Sequence, residues 1–331
     1  MKNSSGTITL TWGDVCENHI GNKQIGTKRK NGFSLEELQN AKCNFENLGC
    51  ETKLYQLNGL LLNKTDEELI VTNKSKKRIP LIRCKFCKKG FLKPEKVQDH
   101  VIQCEYDGGL CEKFGKEKLQ KFNRKYQELH SEKAYLLVVR NGVDKLLETL
   151  SSDSNKLFKK LCSLYWDRKF WCQRRKRVLN KNARANMCIS DKACKANYEK
   201  GQGTVYSFSE LKEINQIRSE LSKLISEKAK QMQCEGNWYF DVSKCGIGLH
   251  GDTERYLVVG MRFGGTMNLC FQGFYQSKSI GRMFEINLNS GDLYIMSEKA
   301  TGNDWKKRGK VTFRHCCGGK KWMEQVRKRM K

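Results

Sequence analysis

Between Trp238 and Arg314 the chain breaks into seven short apolar runs separated by glycine and asparagine: Trp238–Val242, Gly246–His250, Tyr256–Phe263, Met267–Tyr275, Met283–Leu288, Asp292–Met296 and Lys310–Arg314. Runs this short and this closely spaced read as strands, and strands in such a series bury their apolar faces only against one another. They predict a sandwich or a barrel. Upstream the pattern is mixed. Thr7–Trp12 reads as a strand, and Ser34 with Glu37 three residues later has the spacing of a capping box opening a short helix. Lys53–Leu62 reads as a second strand and Ala134–Val139 as a buried one, which Asn141-Gly142 turns into a helix over Val143–Leu150. Apolar residues at helical spacing mark a connecting helix over Glu112–Glu132 and a long amphipathic helix over Glu210–Met232. The fold class is therefore α+β.

Cys84-Lys-Phe-Cys87 is followed by twelve residues, His100, three more residues and Cys104. A hairpin can present two thiolates, and a helix can present His and Cys one turn apart, which closes a tetrahedral Zn(II) site. Phe91 and Val97 stand where the core of such a ββα unit lies, and Pro94 suits its helix start. The segment resembles a C2H2-type zinc finger in which Cys104 replaces the last histidine; Cys111 is a spare ligand. One finger covers about 3 bp of duplex and reads little sequence; such fingers also bind protein partners, but the basic surroundings of this one point to nucleic acid. Most of the other cysteines, among them Cys16, Cys43, Cys50, Cys162, Cys172 and Cys270, sit among apolar neighbours and read as small core residues.

The 63 Lys and Arg against 36 Asp and Glu give a formal charge of +27. Such a surface repels itself unless a polyanion is near, which points to nucleic acid. Basic and aromatic residues interleave from Tyr165 to Arg184, where Arg174, Arg175, Lys176, Arg177 and Arg184 are candidate nucleic-acid contacts, with Trp166, Phe170 and Trp171 either stacking on bases or anchoring the core. The runs Lys74–Arg78 and Arg174–Arg177 also have the form of nuclear-import patches. The first residues lack a signal-peptide pattern and no run reaches the roughly 20 apolar residues of a membrane span. The expectation is an intracellular protein, of nucleus or cytoplasm, with no membrane partner.

His250-Gly-Asp252 places an imidazole and a carboxylate two residues apart, on one side of a strand. With a distal histidine these would form the facial triad that holds Fe(II). Asn237-Trp-Tyr239 precedes the pair, Gly291–Met296 follows it, and Arg308-Gly-Lys-Val-Thr-Phe-Arg314 closes the series. Over about residues 177–318 this resembles the AlkB family of Fe(II)/2-oxoglutarate dioxygenases. The resemblance implies a double-stranded β-helix, or jelly roll, with Fe(II) on His250 and Asp252. It implies 2-oxoglutarate on Arg308, Arg314, Asn237 and Tyr239, and oxidation of an alkyl group on a nucleic-acid base. The family's distal histidine has no counterpart between Met296 and Arg308. Of the five histidines, His315 is the nearest candidate, and a bulge would be needed to turn it inward if Arg314 faces the iron. Asn303 and Asp304 are the other candidates.

The resulting division is an N-terminal α/β unit (1–78), the inserted finger (79–106), a connecting segment completing the N-terminal unit (107–165), and the dioxygenase-like domain (166–331). Two other functions fit the same residues. One is a nucleic-acid-binding protein that keeps the barrel as a scaffold, and the other is a protein hydroxylase with the finger as partner-binding module.

Overall fold

The computed structural model describes residues 6–17, 23–58 and 132–330, with the backbone alone at 82–83 and 90–91. The four finger residues Cys84, Cys87, His100 and Cys104, the run at 74–78 and nearly all of the segment 112–132 lie outside the described residues. In chain order the first strands are β1 (Thr7–Gly13), β2 (Val15–Cys16), β3 (Ile25–Gly26), β4 (Thr52–Gln56), β5 (Ile82–Arg83), β6 (Gly90–Phe91) and β7 (Tyr135–Val139). Next come β8 (Lys169–Cys172), β9 (Arg177–Asn180), β10 (Ala185–Ser190), β11 (Val205–Ser207) and β12 (Gln233–Tyr239). The series ends with β13 (Gly246–His250), β14 (Val258–Gly264), β15 (Met267–Tyr275), β16 (Lys278–Leu288), β17 (Leu293–Met296) and β18 (Thr312–Gly318).

Two sheets dominate. The large one runs β11-β10-β12-β1-β14-β17-β7-β4, and the small one runs β13-β18-β15-β16. All their pairings are antiparallel except β10 with β11. From β12 onward the chain alternates between them, with β12, β14 and β17 in the large sheet and β13, β15–β16 and β18 in the small one. The molecule is thus a mixed α+β protein built mainly on antiparallel sheets. β1 lies between β12 and β14, paired to both. The sheet therefore draws its strands from both sides of the division expected at residue 166.

Alternation along the strands explains the layers. Ile8, Leu10 and Trp12 of β1, with Leu137 and Val139 of β7, face one side of the large sheet. There they meet Leu38 and Phe45 of the helix Leu35–Asn47, Leu157 and Leu161 of Ser154–Ser163, and Ile214, Ile217 and Leu221 of Lys212–Leu224. Leu136 and Val138 of β7 face the other way and join Val258, Phe271, Leu288 and Phe313 between the two sheets. Ser34 caps the first helix as its spacing predicts, its hydroxyl accepting from Glu37 N while the Glu37 carboxylate accepts from Ser34 N. The amphipathic segment at 210–232 forms a shorter helix than its periodicity predicts. It ends at Leu224 and continues as a 3-10 turn, Glu227–Ala229. No helix among the described residues is long and apolar enough to cross a membrane.

Candidate metal centre

β13 and β18 are neighbours in the small sheet, and their register brings the two histidines together. Gly246 pairs with Gly318 and Ile247 with Cys317, yet the next pair is His250 with His315. Gly248 and Leu249 thus oppose Cys316 alone, which is a β-bulge on β13. Regular alternation from Ile247 would turn Leu249 into the sandwich and His250 out of it. The extra residue reverses this: Leu249 packs outside with Cys270, Cys316 and Met323, and His250 joins the face of Ile247. The displaced Gly248 carbonyl lies 2.8 Å from His250 Nδ1. With Nδ1–H donating to it, Nε2 is left as the ligand atom, the arrangement that orients metal-binding imidazoles.

His250 Nε2 is 3.5 Å and His315 Nε2 3.7 Å from the same Asp252 oxygen, Oδ1. Ligand atoms of the three residues all lie within 4.8 Å of one another. Asp252 is fixed just beyond the strand end, where its N–H donates to Thr301 O at 3.0 Å. Gly251 is required between the two ligands, because a Cβ there would stand 2.1 Å from Gly302 O and 2.6 Å from the Trp305 ring. Burial, then His250 and Arg255, push the His315 imidazole well below its ordinary basicity, so it is held neutral, as a ligand must be. His250 remains partly open to solvent, its side chain 31% exposed.

A cavity of about 60 Å³ opens from this triad between the sheets, lined also by Thr9, Asn237, Tyr239, Arg255, Arg262 and Tyr294. Arg255 is buried among carboxylates, 2.7 Å from Glu235 and 3.0 Å from Glu254, and its Nε lies 3.8 Å from Asp252. Burial pushes the Glu235 carboxyl upward, but Arg255 and the Asn237 amide outweigh it and hold it below the ordinary range. Arg262 is different. It is fully buried, its Nη1 donates to Thr9 Oγ1 at 2.7 Å, its Nε has no partner, and among the described residues no carboxylate pairs with it. Gly260 leaves room for the Tyr294 ring, whose atoms would come within 1.9 Å of a Cβ on that residue.

The structure distributes the sequence-derived site residues unevenly. Asn237 and Tyr239 line the cavity with His250, Asp252 and His315. Arg308 and Arg314 do not. Arg308 is exposed in the turn before β18. Arg314 stacks over Phe274 and Trp305, at 4.0 and 4.8 Å, on the face of β18 opposite His315. The pairing of β18 with β15 is unbroken from Thr312 to Gly318, so adjacent residues must face opposite ways. His315 accordingly turns inward without a bulge in its own strand, and Arg314 outward. Asp304 is paired with Lys299 at 2.7 Å, and neither it nor Asn303 belongs to the triad. Arg174, Arg175, Lys176 and Arg177 are exposed around the turn between β8 and β9, whereas Trp166 is a core residue. Arg184 reaches the cavity lining, its Nε donating to Asn237 Oδ1 at 2.7 Å. Sequence reasoning missed Thr9, Glu235, Arg255 and Arg262. The signal for Arg262 was a lone cation inside the apolar run Val258–Phe263, and for Thr9 the threonines alternating with Ile8 and Leu10.

Fold and site together define an α+β sandwich protein with a two-histidine, one-carboxylate cluster between its sheets. No family model matches the chain. It is 34% identical over 318 residues to the uncharacterized protein R156 of Acanthamoeba polyphaga mimivirus, an alignment spanning 96% of this chain and 98% of that one. The chain belongs to the family of that protein.

Proposed function

We propose that this protein is an Fe(II)- and 2-oxoglutarate-dependent dioxygenase acting on nucleic acid. The observation that carries the reading is the pairing, in one cavity, of a His-Asp-His cluster with a buried guanidinium that lacks a carboxylate. Two imidazoles and one carboxylate suit non-haem Fe(II) and leave coordination positions open. Arg262, with Thr9 beside it, suits a carboxylate, which a guanidinium binds through two parallel hydrogen bonds. Tyr239, Asn237 and Tyr294 supply further polar groups for such a ligand. When bound, the iron and 2-oxoglutarate would activate dioxygen, with 2-oxoglutarate oxidised to succinate and CO₂ and one oxygen atom inserted into a C–H bond of the substrate. The chain's own residues hold the ligands in place: Gly248 O sets the His250 tautomer, the Asp252 N–H is fixed on Thr301 O, and Arg255 sets a positive charge 3.8 Å from the second oxygen of Asp252.

Strand order supports the jelly-roll reading. A run alternating between two sheets would send the strand after β18 back to the large sheet, and β1 takes the slot between β12 and β14. In the scaffold-only reading a metal ligand is missing; His315 fills that vacancy. The charge of +27 favours a polyanionic substrate over a protein one. Cys84, Cys87, His100 and Cys104 are proposed to bind Zn(II), as a docking module beside the oxygenase.

The test is oxygen-dependent conversion of 2-oxoglutarate to succinate by protein supplied with Fe(II). Turnover is expected, and H250A, D252A and H315A should each abolish it. Metal analysis of the same samples should find one zinc, lost in C84S/C87S. Absence of turnover together with absence of Fe(II)-dependent 2-oxoglutarate binding would refute the oxygenase reading.

A further inference from the structure

We infer that the β8–β9 hairpin is an arm that seats in the major groove of duplex DNA and holds it by its phosphates. The inference rests on the nucleic-acid reading above and adds the element, the form of the polymer and the mode of contact.

From Arg168 to Arg184, eight of seventeen residues are basic and none is acidic. The hairpin forms its own two-stranded sheet, with Lys169 opposite Asn180 and Cys172 opposite Arg177. Four consecutive cations, Arg174, Arg175, Lys176 and Arg177, surround its turn, all exposed and none within an ion pair among the described residues. Lys176 holds a left-handed backbone at φ 49°, a conformation glycine or asparagine adopts more cheaply. The turn thus keeps a cation where conformational preference alone would select another residue. At the other end the arm is rooted. Lys181 N donates to Arg168 O at 2.7 Å, and the Arg168 guanidinium lies over Phe240 and Trp238 at 4.6 and 5.5 Å. Trp238 belongs to β12, whose neighbouring Asn237 and Tyr239 line the cavity.

The chemistry of the tip selects the partner. Single strands are bound on exposed aromatic rings, but Phe170 and Trp171 lie within β8 and are half-buried, and the turn residues 173–176 carry no ring. A-form duplexes close their major groove to protein elements. The major groove of B-form DNA, about 12 Å wide, admits a two-stranded ribbon. Four-residue strands span about 13 Å, enough to place the tip cations against the bordering phosphates.

The experiment measures binding of the full-length protein to a fluorescein-labelled 20-bp DNA duplex of arbitrary sequence, by anisotropy, over a series of KCl concentrations. R174Q/R175Q/K176N/R177Q removes the tip charge, with asparagine tolerated at the left-handed position. K320Q/K321Q/K328Q/R329Q removes as many exposed charges from the C-terminal helix Lys320–Met330. Each phosphate contact adds about 0.9 to the slope of log K against log salt, so the arm variant should lose about three to four from it and bind at least about tenfold more weakly. The helix variant should change far less. Equal losses in the two variants, or an unchanged slope in the arm variant, would overturn the assignment while leaving the nucleic-acid reading intact. Equal binding of an RNA duplex, with the same loss, would overturn the seating in the B-form groove. Wild-type protein that turns over 2-oxoglutarate but binds no duplex would overturn this inference and direct the oxygenase to another substrate.

Discussion

A guanidinium taken out of water with no carboxylate beside it costs a fold several kcal/mol. Arg255 offsets that cost with Glu235, Glu254 and Asp252, whereas Arg262 has Thr9 alone. A residue kept at such a cost is explained if an anion completes it, and this makes stability and function pull in opposite directions at position 262. Arg262→Met is expected to leave the melting temperature unchanged or raise it. The same change should raise KM for 2-oxoglutarate about 10–100-fold, the value of a hydrogen bond to a charged group. Melting curves and steady-state kinetics on one preparation check both halves. A variant that unfolds would show that Arg262 serves the core instead. The sequence displayed this residue plainly, as a cation within an apolar run, but nothing local distinguishes an arginine facing a cavity from one facing solvent. The two arginines of the Arg308–Arg314 motif matched a pattern, and the backbone sends one into a turn and the other to the outer face of β18.

At the level of strands the centre depends on a break in periodicity. Alternation was legible: Gly246–His250 and Met267–Tyr275 appear as strands with the bounds their sequence predicts, and the inward turn of His315 follows from β18 being regular. The bulge on β13 was not legible, because one extra residue leaves no trace in an apolar pattern and is set by the partner strand. The β8–β9 hairpin was hidden for another reason, its strands being too short and too charged to show alternation. The bulge makes a sharp prediction. Deleting Gly248 should restore one-to-one pairing, with Leu249 opposite Cys316 and His250 still opposite His315 and still inward. The imidazole would then lose only the carbonyl that fixes its tautomer. Metal affinity should fall about 10–100-fold, as for loss of an outer-shell partner, rather than vanish as in H250A. Isothermal titration with Fe(II) under anaerobic conditions, or with Mn(II) as a stand-in, separates the two. Complete loss of binding would mean that the bulge places His250 in a way the register alone does not describe.

For the whole molecule the decisive contact joins the chain's N-terminal strand to its C-terminal half. Apolar periodicity and turn residues gave the sequence reading its α+β class, but it divided the chain near residue 166, because local patterns cannot show which strand fills a gap many residues away. β1 lies between β12 and β14, with Ile8, Leu10 and Trp12 fully buried and Thr9 in the cavity. Burying three such side chains contributes about 5–9 kcal/mol at about 1.5–3 kcal/mol each, against a total stability of about 5–15 kcal/mol for a typical domain. Removal also leaves the facing edges of β12 and β14 without their hydrogen-bonding partner, and unpaired edges promote aggregation. A chain lacking residues 1–17 is therefore expected to aggregate or unfold and to lose metal binding. Residues 166–331 expressed alone should behave in the same way, although they contain His250, Asp252 and His315. Thr9→Val tests the functional part of the same strand without removing it: the fold should persist while KM for 2-oxoglutarate rises. Circular dichroism and Mn(II) titration of the truncated proteins, and circular dichroism with steady-state kinetics of Thr9→Val, distinguish these outcomes. A folded, metal-binding 166–331 fragment would mean that β1 is an accessory strand and that the site is complete without it.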